Sequence, residues 1–285
     1  DHRDLHSFPT RRSSDLTIGV LERNLREFDP TRQFLRTSPD AGSMHSYPDF
    51  DPNWYKGFEL IPFVAETGIH CLTDARGNRE VIDKSEFFEL NKMADSSFMK
   101  NHPQFIHHFV EYTPTRVPRM LSRATHIIDI KTNSFEELAE ATQVGAGEFY
   151  QVMSESFQSN YPVTTGLMPW TYNRPWPAVA AINFIDAFGQ PSAPYYFLKQ
   201  TYEKNRVMLD LPRLLWKPGE NISLKVNVLN LGESEEYAPT ISLKILDYTF
   251  KPIFEAGKRI NIEAGNLITK LNLGEFQIPV DYKNN

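Results

Sequence analysis

The chain has one cysteine among 285 residues, so no intrachain disulfide can brace it, and a lone thiol at Cys71 assigns no redox compartment. It has no run approaching the roughly 18 apolar residues of a membrane span. It has no basic excess either. Thirty Lys and Arg stand against 36 Asp and Glu, a net charge of −6, whereas phosphate contact needs a basic surface; nucleic acid is not an expected partner. No His or Cys spacing resembles a zinc site, and His107 and His108, adjacent on a helix, would diverge by about 100°. No Gly-rich phosphate loop occurs: VGAGEF sits inside a helical pattern with no Lys-Ser/Thr after it. No metal and no cofactor are therefore expected. There is no internal repeat and no low-complexity tract.

What is present is an apolar fraction of 40%, enough for a sizeable core, with 20 Phe, 12 Tyr and four Trp. Aromatic side chains serve both cores and clefts that stack sugar rings. The length suits one large domain or two ordinary ones. The opening Asp1–Leu16, DHRDLHSFPTRRSSDL, is different in kind. It has no hydrophobic period, and no apolar stretch that would make it a signal peptide. A disordered basic arm is one reading. Back-translated in one frame, however, the whole segment closely resembles a short-read sequencing adapter. It is expected to be foreign to the fold, irregular and exposed, with the natural start of the protein lost before Thr17; localisation is then unassigned by sequence.

From Thr17 the pattern is that of a folded chain. TIGVLERNLREF places Ile18, Leu21, Leu25 and Phe28 on one helical face, and Asp29-Pro30 ends it. QFLRTSPD reads as a short strand, and GSMHSYPDFDPNWYKGF as an aromatic loop. IPFVAETGIH carries an apolar run from Ile61 to Ala65 that stops at a carboxylate, the pattern of a buried parallel strand with Glu66 at its C-terminal end. KSEFFELNKM and SSFMKNHPQFIHHFVEY read as helices. SFEELAEATQVGAGEFYQVMSESFQ is the clearest helix, with Ser134 as N-cap and Glu137 placed for a capping box. TTGLMPWTYNRPWP is a short apolar run entering a Trp- and Pro-rich loop, and PYYFLKQTYEK is again amphipathic. After about Asn205 the period changes to two: Ile222, Leu224, Val226 and Val228 alternate, then Ile241, Leu243 and Ile245, with Pro218-Gly219 and Leu231-Gly232 as turns. Five or six strands fit before Asn285, fewer than the roughly seven of an immunoglobulin-like sandwich, so the chain is expected to break off inside it.

Three pieces in this order, GSMHSY, FVAETGIH and GLMPWTYNRPWPAVAAINFIDAFGQPSAPYYFLK, resemble glycoside hydrolase family 2, and within it the β-mannosidase and mannosylglycoprotein endo-β-mannosidase branch. Trp170, Asn173, Trp176 and Pro177 match that branch's last-strand motif; Thr171, Tyr172 and Arg174 depart from it. The resemblance implies an α/β plus all-β architecture: the C-terminal half of a (β/α)₈ TIM barrel over residues 17–205, then a partial immunoglobulin-like β-sandwich over 206–285. It implies a retaining hydrolase of β-mannosidic bonds that uses two carboxylates about 5–5.5 Å apart. The substrate would be a β-linked oligosaccharide or glycoside, and the cellular setting periplasmic, secreted or lysosome-like.

Residue by residue, the resemblance makes Glu66 the nucleophile. It makes Trp170 the floor on which a sugar ring stacks, and it places Asn173 and Trp176 in the same substrate loop. His45 and Tyr47 fall where the family often has a His-x-Tyr, and a tyrosine there would hold the nucleophile by a hydrogen bond. The acid/base of the family lies in an Asn-Glu motif, and no Asn-Glu occurs in this chain. The missing N-terminal half of the same chain is thus the expected partner. Each residue also has a plainer reading. Glu66 suits a helix cap or rim salt bridge, Trp170 core packing, Tyr47 a loop aromatic, and His70, four positions after Glu66, a structural imidazole. Arg174 is either a hydroxyl ligand or a surface charge. Two other functions stay open: a β-galactosidase- or β-glucuronidase-like hydrolase, and a non-catalytic carbohydrate-binding or scaffold protein.

Overall fold

The structure, a computed structural model, describes residues 8–39, 43–47, 63–87, 97–113, 116–128, 134–231 and 238–281. Its centre is a small parallel sheet. The apolar run before Glu66 forms β2 (Phe63–Thr67), flanked by β1 (Ser43–His45) on one side. The next strand along the chain, β3 (Cys71–Leu72), belongs to a separate pair, and β4 (Gly166–Pro169) closes the central sheet in the order β1-β2-β4. Register puts Met44 beside Val64 and His45 beside Glu66 on one edge, and Val64 beside Leu167 and Thr67 beside Pro169 on the other. Both pairings carry an irregularity near Glu66, which re-aims side chains at that end of the sheet.

The helices follow from local signals. After α1 (Phe8–Phe28) and α2 (Ala75–Val81) comes α3 (Phe98–Asn101), and then α4 (Pro103–His108). The sequence suggests one helix across the last two. Pro103 splits it, because proline disfavours helical dihedrals in the residue before it; His102 takes φ −130°, ψ 57°. α5 (Arg116–Ile127) precedes the longest helix, α6 (Phe135–Gln158). The Ser134–Glu137 capping box forms in both directions. The VGAGEF stretch is explained by close approach. A Cβ on Gly145 would lie 2.7 Å from Arg123 Cβ of α5, and one on Gly147 would lie 2.4 Å from the Phe197 ring of α7 (Ala193–Thr201). Beneath the central sheet, Val64, Ile69, Phe149, Tyr150, Met153 and Phe184 pack as one core. A second core gathers Leu72, Phe105, Met120, Leu138 and Val179, and runs past β5 (Ala180–Ala181), the antiparallel partner of β3.

From Asn205 the chain is β. β6 (Asn205–Leu209), β7 (Asn221–Asn230) and, later, β10 (Ile268–Gln277) form an antiparallel sheet in the order β10-β7-β6, while β8 (Thr240–Leu246) pairs with β9 (Pro252–Arg259). Val226, Val228, Ile241, Ile260 and Ile262 form the core between them. The other face of β7 is buried too. Asn227 Nδ2 donates to Ser159 Oγ at 2.9 Å just past α6, and Arg206 of β6 meets Glu155 of α6 at 2.5 Å.

Several expectations need correction. Asp1–Leu16 is not irregular throughout: from Phe8 it continues into α1, with Leu16 73% exposed. Pro9 sits in the first turn, where its missing N–H costs nothing, and extending an existing helix is cheaper than nucleating one. Residues 1–7 lie outside the described residues. QFLRTSPD is not a strand; residues 33–39 run irregularly into Ser38-Pro39, as suits a proline that cannot donate to a ladder. The expected loop GSMHSY instead supplies β1, its pairing with β2 overriding turn-like composition. Of KSEFFELNKM, Lys84–Glu86 make one 3₁₀ turn and residues 88–93 are outside the described set, as are 48–58 of the aromatic loop.

Candidate active site

Parallel strands present their C-terminal ends together, and here that rim brings Glu66 and Trp170 to one place. Glu66 is the penultimate residue of β2, and Trp170 follows β4, its backbone N–H donating to the Thr67 carbonyl at 2.8 Å. Both line one open cleft of about 530 Å³. Trp170 stays 43% exposed, so it is not a core tryptophan.

The Glu66 carboxylate is held from the neighbouring edge. Tyr47 Oη donates to Glu66 Oε1. His45 Nδ1 stands 3.5 Å from Glu66 Oε2, and its Nε2 is 2.8 Å from Ser38 Oγ. His45 and Tyr47 share a face because successive side chains of an extended strand alternate. Burial, then the hydrogen bond to Glu66 and its negative charge, push the Tyr47 phenol well above its ordinary range, so it remains a donor. The guanidinium of Arg119 lies over the Tyr47 ring, 5.6 Å from its centre.

His70 is buried and also borders the cleft. Its Nε2 is 3.0 Å from the Val110 carbonyl, an acceptor only, so Nε2 carries the proton. Burial lowers its pKa to about 4, leaving the ring neutral at pH 7.

Asn173 and Trp176 are not among the residues that line the Glu66 cleft. Asn173 forms a β-bridge with Ile185. Trp176 stacks on His108 at 5.2 Å and meets His107 edge-on at 5.6 Å. The histidine pair thus flanks an indole, and among the described residues no cluster of His, Cys, Asp and Glu is arranged to hold a metal. Arg174 Nε is buried with no hydrogen-bond partner among the described residues.

Sequence reasoning missed three residues of the cleft: Glu111, Arg116 and Arg119. Glu111 sits in FVEY, read as the tail of a helix, and Arg116 and Arg119 in TPTRVPRM just after it, where no element was expected. The structure ends that helix at His108, and Phe109 bridges to Ala180 beside the sheet. The signal was an apolar pair followed by a carboxylate, Phe109-Val110-Glu111, a shorter echo of the run ending at Glu66.

No protein-family profile and no curated protein matches the chain. Solved structures do. A β-D-mannosidase from Dictyoglomus thermophilum aligns with a TM-score of 0.60 at 19% identity, over 90% of this chain and 30% of that one. The Amycolatopsis orientalis exo-chitosanase CsxA aligns with a TM-score of 0.59 at 18% identity, over 85% of this chain and 28% of the other. A complex of that chitosanase with PNP-beta-D-glucosamine aligns at 0.57, covering 82% and 26%. At this identity the likeness establishes a shared fold. The chain spans less than a third of the length of these relatives. No described helix is long and apolar enough to cross a membrane.

Proposed function

We propose that the chain is part of a retaining β-glycosidase of the glycoside hydrolase family 2 kind, acting on β-mannosides, with Glu66 as nucleophile. One observation carries the reading: a carboxylate at the C-terminal end of a parallel strand, fixed by a tyrosine hydroxyl and facing an exposed tryptophan across an open cleft. The solved relatives add support, since one is a mannosidase and the other a chitosanase. In this reading the β1-β2-β4 sheet is the C-terminal part of a (β/α)₈ barrel and β6 to β10 begin an immunoglobulin-like sandwich. The WTYNRPWP loop favours mannosides over galactosides and glucuronides. Asp1–Leu16 is read as translated adapter joined to the gene.

The chemistry is a double displacement. A Glu66 oxygen attacks the anomeric carbon while the glycosidic oxygen leaves with a proton from a second carboxylic acid. That same group, now a carboxylate, takes a proton from water, which attacks the anomeric carbon and frees Glu66. Tyr47 stabilises the ionised form of Glu66 through its hydrogen bond. The second carboxylic acid belongs, in this reading, to the N-terminal half of the same protein. Intact-mass spectrometry with 2,4-dinitrophenyl β-mannoside tests the proposal, because this leaving group needs little acid assistance. One glycosyl mass on a peptide containing Glu66, lost in Glu66→Gln, is the expected result. Labelling that persists in Glu66→Gln overturns it.

A further inference from the structure

Glu111 is an unusual residue for its place. Val110 N–H donates to the Ala180 carbonyl at 2.9 Å, which ties the strand-like end of this segment to the sheet. The next residue, Glu111, then takes φ 55°, a left-handed conformation that glycine adopts freely and glutamate does not. That turn puts its carboxylate in the cleft with Glu66 and Trp170, where its Oε2 is paired to Arg116 Nη1. The Glu111 side chain is 51% exposed and that of Arg116 36%. A pair so open to solvent adds little to stability, so folding alone does not explain the strained backbone.

We propose that Glu111 and Arg116 are the sugar-recognition pair of this cleft, reading two neighbouring hydroxyls of a neutral hexopyranoside. The proposal rests on the cleft being a glycoside site. Among the described residues, Glu111 Oε1 and the remaining guanidinium N–H groups of Arg116 have no protein partner. A carboxylate oxygen accepts from one hydroxyl, and the fixed guanidinium fork donates to the oxygen of the next. The charges select the substrate class. Among the described residues that line the cleft, Glu66 and Glu111 stand with Arg116 and Arg119, and His70 is neutral, so these side chains favour neither an ammonium nor a carboxylate on the sugar. An ammonium or a carboxylate on the sugar meets one member of the pair as a counter-ion and the other as a like charge, so the water lost around it is not repaid.

The test measures binding of the chain to 4-nitrophenyl β-mannoside, β-glucosaminide and β-glucuronide by quenching of tryptophan fluorescence. Circular dichroism and melting curves check the fold of every variant. The parent chain is expected to prefer the mannoside. Glu111→Gln weakens that sugar about tenfold and moves selectivity about two- to fivefold toward the glucuronide. Arg116→Gln moves it toward the glucosaminide, and Glu111→Asp keeps the neutral preference. A purely structural pair does not produce shifts of opposite sign. No binding of any of the three sugars, unchanged mannoside affinity in Glu111→Gln, or both variants moving the same way overturns the proposal. Mass labelling of the same samples separates the two readings. Signed shifts without labelling at Glu66 sink the glycosidase and leave the recognition pair; labelling with no signed shift does the reverse.

Discussion

The Tyr47 hydroxyl donates to Oε1 of Glu66 from 19 positions away in sequence. The contact exists because β1 runs parallel to β2: His45 stands opposite Glu66 in the register, and Tyr47 continues two residues past it. The phenol keeps its proton, so the bond is available whenever the carboxylate is ionised. With Glu66 as the proposed nucleophile, this bond would orient the attacking carboxylate. Tyr47→Phe is therefore expected to slow labelling of Glu66 by 2,4-dinitrophenyl β-mannoside about 10²-fold, with little change in melting temperature. A labelling rate equal to that of the parent chain removes Tyr47 from the site.

Gly68 follows β2 and leaves no room for a side chain. A Cβ there would lie 2.4 Å from Ile182 Cγ2 and 2.9 Å from the carbonyl oxygen of Trp170. The backbone oxygen cannot swing away as a flexible side chain can. Gly68→Ala is expected to cost about 1–3 kcal/mol and to displace Trp170 from Glu66. Urea unfolding measures the first effect, and sugar-induced fluorescence quenching the second. Parent-like values of both contradict the packing described.

How much of this was legible in the sequence differs by element. The Ser134–Glu137 capping box and the alternation in Ile222–Val228 are local signals, and each fixes its element without help from distant residues. Glu66 stood out as a carboxylate ending an apolar strand, but its proposed role came from the resemblance carried by GSMHSY, FVAETGIH and GLMPWTYNRPWP in that order. β1 was not legible, since GSMHSY has turn-like composition and becomes a strand only when β2 lies beside it. Glu111 was not legible either. Its position depends on the helix breaking at Phe109 and on a bridge to Ala180, 71 residues on, that no local pattern announces. Trp176 and Asn173 show the converse: a motif can match in order while its members meet other neighbours, the Trp176 ring stacking on His108 and the Asn173 backbone bridging to Ile185.

His70 sets a pH dependence of stability. Its pKa falls from 6.5 to about 4 because burial disfavours the cation. Between those values the unfolded chain binds a proton that the folded chain does not, so stability falls as pH drops through that window and is unaffected above it. The loss amounts to about 2 kcal/mol between pH 6.5 and 5. His70→Gln, which can still donate to the Val110 carbonyl, is expected to flatten that slope in urea unfolding measured at pH 5, 6 and 7. An unaltered slope shows that another group carries the titration.

The fate of a glycosylated Glu66 separates a site with one working carboxylate from a site with two. Forming the ester from a dinitrophenyl glycoside needs no acid, because the phenolate is a good leaving group. Releasing the sugar to water is harder: water is a weak nucleophile until a base takes its proton, and general base catalysis is typically worth about 10²–10⁴-fold. No Asn-Glu occurs in the chain to supply that base in the family's manner. The ester is thus expected to accumulate, and turnover of an unactivated β-mannoside to be undetectable. Azide changes the second step and nothing else. It is already anionic, needs no base, and attacks the anomeric carbon from the face opposite the ester, expelling Glu66 and giving the β-mannosyl azide. Sodium azide is therefore expected to restore turnover of the dinitrophenyl mannoside without restoring hydrolysis of a natural one, and chromatography with mass spectrometry of the product decides it. Fast release of free mannose without azide, abolished by Glu66→Gln, would show that a second catalytic group already operates within this chain, and Glu111 would be the first residue to substitute in search of it.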